Sequence, residues 1–313
     1  MSSKKTCSGN PFGSRTTFIK ELVSLLSLMT QQRMPRIHTH SSGEGGIYSN
    51  AYLVETENGI VAIDSTLTVS ESNSLKGKIE AINKPLLAIL LTHPHPDHVA
   101  GVTNLINSRN VSENIQIVAT EAVDRIIRTT EEPKRKQWSP VFKEEWIGKW
   151  THPNRIVNDS ETLAFDGISY KLIDLGPGGD SDANSIWILD TQPKAVFVAD
   201  LVFNGIHSYI ADNHLSDWLV NIDRVRKLVS DADRIYPGHG DAGSMELFDA
   251  QKAYLQKYSD TIRKIADGRT TLTEDEKHQL TTTMEQFLQG NRLSFLIALS
   301  ADAVAAELAR SKS

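Results

Sequence analysis

From residue 47 onward, short apolar runs trade places with stretches of helical spacing. Residues 47–55 and 60–64 read as strands flanking Thr56-Glu57-Asn58-Gly59, whose Asn-Gly step predicts a hairpin turn. A helix is predicted over 69–82, ended by Asn83 and Pro85. Residues 86–91 form a continuous apolar run, short and bounded as a buried strand should be. A helix over 98–106, a strand over 115–119 and a helix over 121–130 follow. Further strands are predicted at 161–165, 170–174, 185–189, 195–198 and 234–236, with a helix over 216–229 before the last. After Met245 the pattern is helical to the end. Helices fall between strands in both halves, so the expected class is α/β (α+β), two sheets packed together with helices outside.

Two regions depart from that alternation. Residues 131–160 mix charge with Trp138, Trp146 and Trp150 and lack a strand period, which reads as an insertion. Its tryptophans are expected either to wall a pocket or to serve as packing anchors. Residues 1–35 read as a leader or a short helix: basic residues precede the apolar stretch 22–29, but serines interrupt it and it is too short to span a bilayer. The expected organisation is therefore a leader at 1–35, a main domain at 36–244 and a helical extension at 245–313. The apolar stretch 293–308 in that extension is expected to pack on the sheets or to form a homodimer surface.

Composition narrows the chemistry. The chain has 313 residues, a formal net charge of −6 and a single cysteine, Cys7. An acidic balance without a clustered basic face argues against a nucleic-acid partner, and no membrane association is expected. One cysteine excludes an internal disulfide and a thiolate metal site, and the protein is expected in the cytoplasm. Any metal must be held by histidine and carboxylate, drawn from ten histidines and the acids beside them.

Four apolar runs lead into such residues. Residues 86–91 run into Thr92-His93-Pro94-His95-Pro96-Asp97-His98; 170–175 into a Gly-rich turn and Asp180; 195–199 into Asp200; and 234–236 into Pro237-Gly238-His239. Side chains gathered from strand ends make a rigid shell. His93 and His95, two apart in an extended turn, point the same way and can grip one metal, while Asp97 and His98 turn toward a second. Imidazole with carboxylate suits zinc, iron or manganese.

His93-Pro-His95-Pro-Asp97-His98 resembles the His-x-His-x-Asp-His signature of the metallo-β-lactamase superfamily, and the likeness extends over residues 47–240. It implies a four-layer αββα sandwich with a dinuclear, usually zinc, site of the glyoxalase-II-like kind. Asp200 resembles the bridging aspartate, His239 the last metal histidine, and Asp64 a buried aspartate beneath the histidine loop. One departure stands out: the family places a histidine in a Gly-His-Ser/Thr-x-x-Asn/Ser turn, whereas this chain reads Gly179-Asp180-Ser181-Asp182-Ala183-Asn184. Asp180 is the expected ligand there, with Asp182 the weaker substitute and a plain turn cap the alternative. Two divalent ions bring about +4, and Asp97, Asp180, Asp200 and a hydroxide return about −4, so the centre is expected near neutral and open to manganese or iron at the Asp180 side.

The resemblance implies hydrolysis of an ester, thioester, lactone or amide of a small molecule by metal-bound hydroxide, with Asp97 orienting the nucleophile and passing a proton to the leaving group. A β-lactamase or acyl-lactone lactonase is the alternative within the class, and a non-catalytic binding protein the alternative outside it. Asn204, His207 and Tyr209 follow Asp200 where a pocket mouth should lie and are candidates for substrate contact. Lys252, Lys257, Arg263 and Lys264 make a poor match to a basic cluster for a glutathione conjugate.

Overall fold

A computed structural model of the protein describes residues 34–310; the apolar stretch 22–29 of the expected leader, and Cys7, lie outside the described residues. Among the described residues two sheets form. One has six strands in the order β1 (Arg36–Ser41), β2 (Asn50–Glu55), β3 (Ile60–Ile63), β4 (Leu86–Leu90), β5 (Val111–Ala119) and β6 (Arg155–Ile156). The other has five, in the order β7 (Thr162–Phe165), β8 (Ile168–Gly176), β9 (Asn184–Leu189), β10 (Ala195–Phe203) and β11 (Arg234–His239). The strands β1 to β3 form an antiparallel meander and β3 to β6 run parallel, with helices in the crossovers. In the second sheet, β7 to β10 are antiparallel and β10 pairs parallel with β11.

The helices are α1 (Val69–Ile82), α2 (Pro96–Val99), α3 (Val102–Leu105), α4 (Glu121–Phe142), α5 (Leu215–Leu228), α6 (Glu246–Ala266), α7 (Glu274–Leu288) and α8 (Phe295–Arg310). Strand side chains sort by the two-residue period. On β2 and β3, Tyr52, Val54, Val61 and Ile63 face the second sheet and meet Tyr170, Trp187 and Phe197, while Leu53, Ile60 and Ala62 face Leu75 and Ile79 of α1. The outer face of the second sheet, with Val196 and Val198, packs against Trp218 and Ile222 of α5 and Phe248 and Leu255 of α6. Both faces of both sheets are covered, which is why the central strands read as unbroken apolar runs. The result is the four-layer αββα sandwich expected. In α8, Ile297, Ala301, Val304 and Ala305 join that same outer cluster, so this helix packs on the sandwich.

Several boundaries differ from the sequence expectation. The strand expected from 47 starts at Asn50, because Ile47 and Tyr48 adopt left-handed backbone after a short helical turn. β1 is absent from that expectation: it is an edge strand whose residues, Arg-Ile-His-Thr-His-Ser, bury only His40 and so show no apolar period. The helix expected over 98–106 is two short turns, broken where Gly101 presses on Thr66; a Cβ at 101 would come 2.9 Å from the Thr66 backbone. The largest difference is α4, which continues through Pro133 and Pro140 to Phe142, so the first half of the expected insertion is helix. β10 runs past Asp200 to Phe203, although its pairing with β11 turns irregular beyond Phe197 and Ala199 is left-handed.

Candidate metal centre

The sheets meet at their shared end. Ser185, on β9, donates both its backbone N–H (2.9 Å) and its hydroxyl (2.8 Å) to the carbonyl of Thr92, and the Trp187 indole donates to Leu91 (3.2 Å). The histidine loop is thereby tied to the second sheet. Within it, Thr92 Oγ1 donates to Asp64 Oδ2 (2.7 Å) and lies 2.9 Å from His93 Nδ1. The hydroxyl has one proton and gives it to Asp64, so His93 Nδ1–H donates to the hydroxyl and the lone pair sits on Nε2, facing the centre. Asp64 Oδ2 also lies 3.0 Å from His98 Nδ1 and turns Nε2 of that ring the same way.

Two groups of side chains converge there. In one, His95 Nδ1 is 2.8 Å and His93 Nε2 3.9 Å from Asp180 Oδ2. In the other, Asp97 Oδ2 is 3.2 Å from His98 Nε2 and 3.3 Å from His239 Nε2. Asp200 stands between them: Oδ1 is 3.3 Å from His98 Nε2, and Oδ2 is 3.3 Å from His239 Nε2 and 3.9 Å from His93 Nε2. A third grouping, Asp64 with His93 and His98, is the anchor just described. Asp180 is held by its turn, where Ser181 Oγ donates to Asn184 Oδ1 (3.0 Å) and Asn184 Nδ2 donates to the carbonyl of Ser181 (2.7 Å). The turn bearing His239 is fixed by Asn50 and Tyr52 of β2, which donate to the Pro237 carbonyl at 3.1 and 2.5 Å. Gly238 is obligatory there, since a Cβ would collide with Asp200 Oδ1.

A family profile described as the metallo-beta-lactamase superfamily matches residues 45–239. The chain belongs to the metallo-beta-lactamase superfamily. A "Beta-lactamase-like protein 2 homolog" of Caenorhabditis elegans is 27% identical over 66% of this chain, which spans 60% of that relative's length. A "Metallo-beta-lactamase type 2" of Bacillus cereus is 22% identical over 73% of this chain and 82% of its own. A metallo-beta-lactamase family protein from Thermus thermophilus, at 17% identity, shares the fold with a TM-score of 0.64 over 88% of this chain and 93% of that one.

The donor set of this superfamily member fits divalent cations on its own chemistry. Among the described residues, His93 Nε2, His98 Nε2, Asp180 Oδ1 and Asp200 Oδ1 are buried with no hydrogen-bond partner. Buried polar atoms are normally satisfied, and these point at a common centre. Electrostatics agree. Burial by itself lowers the basicity of His95, but Asp180 and Asp212 outweigh it and push the ring up to about 10. His239 is pushed up to about 9, burial being overcome by Asp200 and Asp97, and His98 also stands well above the usual range against burial, through Asp200 and Asp97. Burial would raise Asp97 and Asp200, yet the surrounding imidazoles hold both low. His93 is depressed, by burial first and then by His98, while burial raises Asp180 to about 7 against the pull of His95. The buried carboxylates Asp97, Asp180 and Asp200, with the partly exposed Asp212, thus pin protons on imidazoles, and a cation can replace those protons.

All seven expected ligands and Asp64 come together, and Tyr209 reaches the adjoining cavity, its ring edge-on to His95 at 5.3 Å. Asn204 and His207 do not. His207 is fully buried between Tyr254 Oη and the Gly290 carbonyl, both 2.9 Å away, and Asn204 donates from its side chain to Asp241 (2.8 Å). Asp182 is turned outward to His214. Asp212 is a site residue that the sequence reading misses: its Oδ2 lies 3.6 Å from His95 Nε2 and its Oδ1 accepts from Tyr209 Oη (2.8 Å). It follows no strand, so nothing in the apolar pattern flags it. The tryptophans divide: Trp138 and Trp146 line the cavity, whereas Trp150 is a buried anchor.

Proposed function

We propose that this chain is a metal-dependent hydrolase that cleaves an ester, thioester, lactone or amide bond of a small molecule. The observation that carries the reading is the set of buried nitrogen and oxygen atoms of His93, His98, Asp180 and Asp200 that find no partner among the described residues, the two carboxylates also lining a cavity of about 370 Å³. His93, His95 and Asp180 would hold one ion, Asp97, His98 and His239 a second, with Asp200 shared between them. Bound there, divalent ions, zinc foremost with manganese or iron suited to the Asp180 side, polarise a carbonyl and supply a nucleophile at neutral pH.

The residues do the rest. Asp64 and Thr92 orient His98 and His93 so that their lone pairs face inward. Asp97 lines the cavity; with Oδ2 turned to His98 and His239, its other oxygen, Oδ1, is the one left to receive a proton and return it to the leaving group. The apolar walls exclude water and strengthen each electrostatic contact at the base. Purified protein should contain up to two transition-metal ions per chain and hydrolyse members of a panel of esters, thioesters, lactones and β-lactams. Chelation should abolish turnover and added zinc or manganese should restore it. Turnover indifferent to chelation overturns the reading, as does metal-replete protein inert across the panel.

A further inference from the structure

The cavity over the metal centre divides sharply. Its base holds the polar groups, including His95, Asp97, Asp180, Asp200 and His239. Its walls are largely apolar, and α4 and the segment running into α8 supply most of them. On α4, Lys134, Trp138, Val141 and Phe142 fall at helical spacings of four, three and one, which puts them on a single face. Opposite them stand Leu293, Phe295, Leu296 and Leu299, in and before α8. The apolar surface does not stop at the mouth, for Val141, Phe295 and Leu299 are each half or more exposed, at 64%, 55% and 50%. Exposed apolar side chains converging on one opening mark a binding surface.

Among the described residues, the remaining charges on these walls are Glu44 and Lys134, one of each sign, and the Lys134 charge acts on Asp212. The basic residues of α6 are absent from the lining: Lys252 pairs with Asp223 and Arg263 with Asp260. Among the described residues these walls offer a polyanionic or peptide-like substrate a single cation, so most of its polar groups would be desolvated without compensation.

We infer that the substrate has a long or bulky apolar acyl body that lies between α4 and α8, with its scissile carbonyl at the metal centre. This rests on the hydrolase reading for the fate of the carbonyl, but the apolar binding stands on the walls alone. Each methylene moved from water into such walls contributes ~0.8 kcal/mol, about fourfold in kcat/KM. Unlike the polar base, the walls set selectivity by size and shape.

The test uses full-length protein in two measurements. First, kcat/KM is followed for 4-nitrophenyl esters from acetyl through dodecanoyl; a rise of about fourfold per methylene until the cavity fills supports the inference. Second, dodecanoate is titrated into metal-free protein while tryptophan fluorescence is followed, with acetate as control. Saturable quenching by dodecanoate alone supports it, and does so even where metal-replete protein hydrolyses no ester, thioester, lactone or β-lactam, an outcome that would sink only the hydrolase reading. Val141→Asp and Leu299→Asp, at exposed positions, should flatten the chain-length slope and weaken dodecanoate binding at unchanged melting temperature. A flat chain-length series with no dodecanoate binding overturns the inference, as does undiminished dodecanoate binding in both variants.

Discussion

The two halves of the metal centre are built by different means. Asp97, His98 and His239 come from one helical turn and one strand end, and His98 is clamped from behind by Asp64, itself almost wholly buried and tied to Thr92 by both of its oxygens. His93, His95 and Asp180 come from two turns. The ring of His95 is backed by Asp212, whose side chain is 29% exposed and stands 3.6 Å away. Both halves border the cavity, but the first is locked by a buried carboxylate, and the second, the open one beside Tyr209, is backed by a partly exposed carboxylate. A fixed half can hold its ion through turnover while the open half adjusts to what enters, and that contrast can be tested.

Asp200 belongs to both halves and should show the largest effect. Asp200→Ala should lower turnover by more than ~100-fold and deplete both ions in metal analysis. If only one ion were lost, the shared position assigned to this carboxylate would be wrong. Asp64→Asn sharpens the contrast, since it touches no expected ligand except through the Nδ1 of His98 and, by way of Thr92, that of His93. It should weaken the His98 half by about 10- to 100-fold in metal affinity and the other half by less. A chelator titration with two resolved phases reads this directly, and equal losses from both phases would erase the distinction between the halves.

Legibility follows the strand ends and cuts across the two halves. His93 through His98 follow an unbroken apolar run, and Asp200 and His239 follow two others, so burial and ligation appear together in the pattern. Even there Asp200 reads as a strand end, because a charge inside a buried strand is costly; the structure keeps the strand going and kinks it at Ala199 instead. Away from the strand ends the pattern is silent. Asp212 sits in a loop without periodicity, and the wall on α4 lies in the segment whose mixed charge and tryptophans read as an insertion, although the spacing of Trp138, Val141 and Phe142 continues the helix through Pro133 and Pro140. His207 shows the opposite error: near the site in sequence, it points away to fill the core beside Tyr254.

Asp180→His tests the open half with a smaller expected effect. Removing one negative charge moves the centre from near neutral toward about +1, so the acidic limb of the pH-rate profile should shift to lower pH and metal preference should move from manganese or iron toward zinc. Unchanged metal content, affinity and pH profile would remove Asp180 from the centre.

The smallest effect is on stability, and its sign follows from the trapped protons. His95 and His239, up at about 10 and about 9 against 6.5 for a free imidazole, stabilise the metal-free fold fully below 6.5 and lose that contribution as pH rises through 9 to 10. Asp180, at about 7 rather than 3.8, acts in the same direction over a lower range. Asp97 and Asp200, held low, contribute above 3.8 and lose this only in strong acid, so they do not oppose the trend near neutrality. Metal-free protein should therefore melt several degrees lower at about pH 9 than at about pH 6. Metal binding releases those same protons, so the gap between loaded and metal-free melting temperatures should widen over that interval. A gap that stayed constant would mean that the ions do not displace protons from His95 and His239, and the two halves would then lie somewhere other than where these side chains meet.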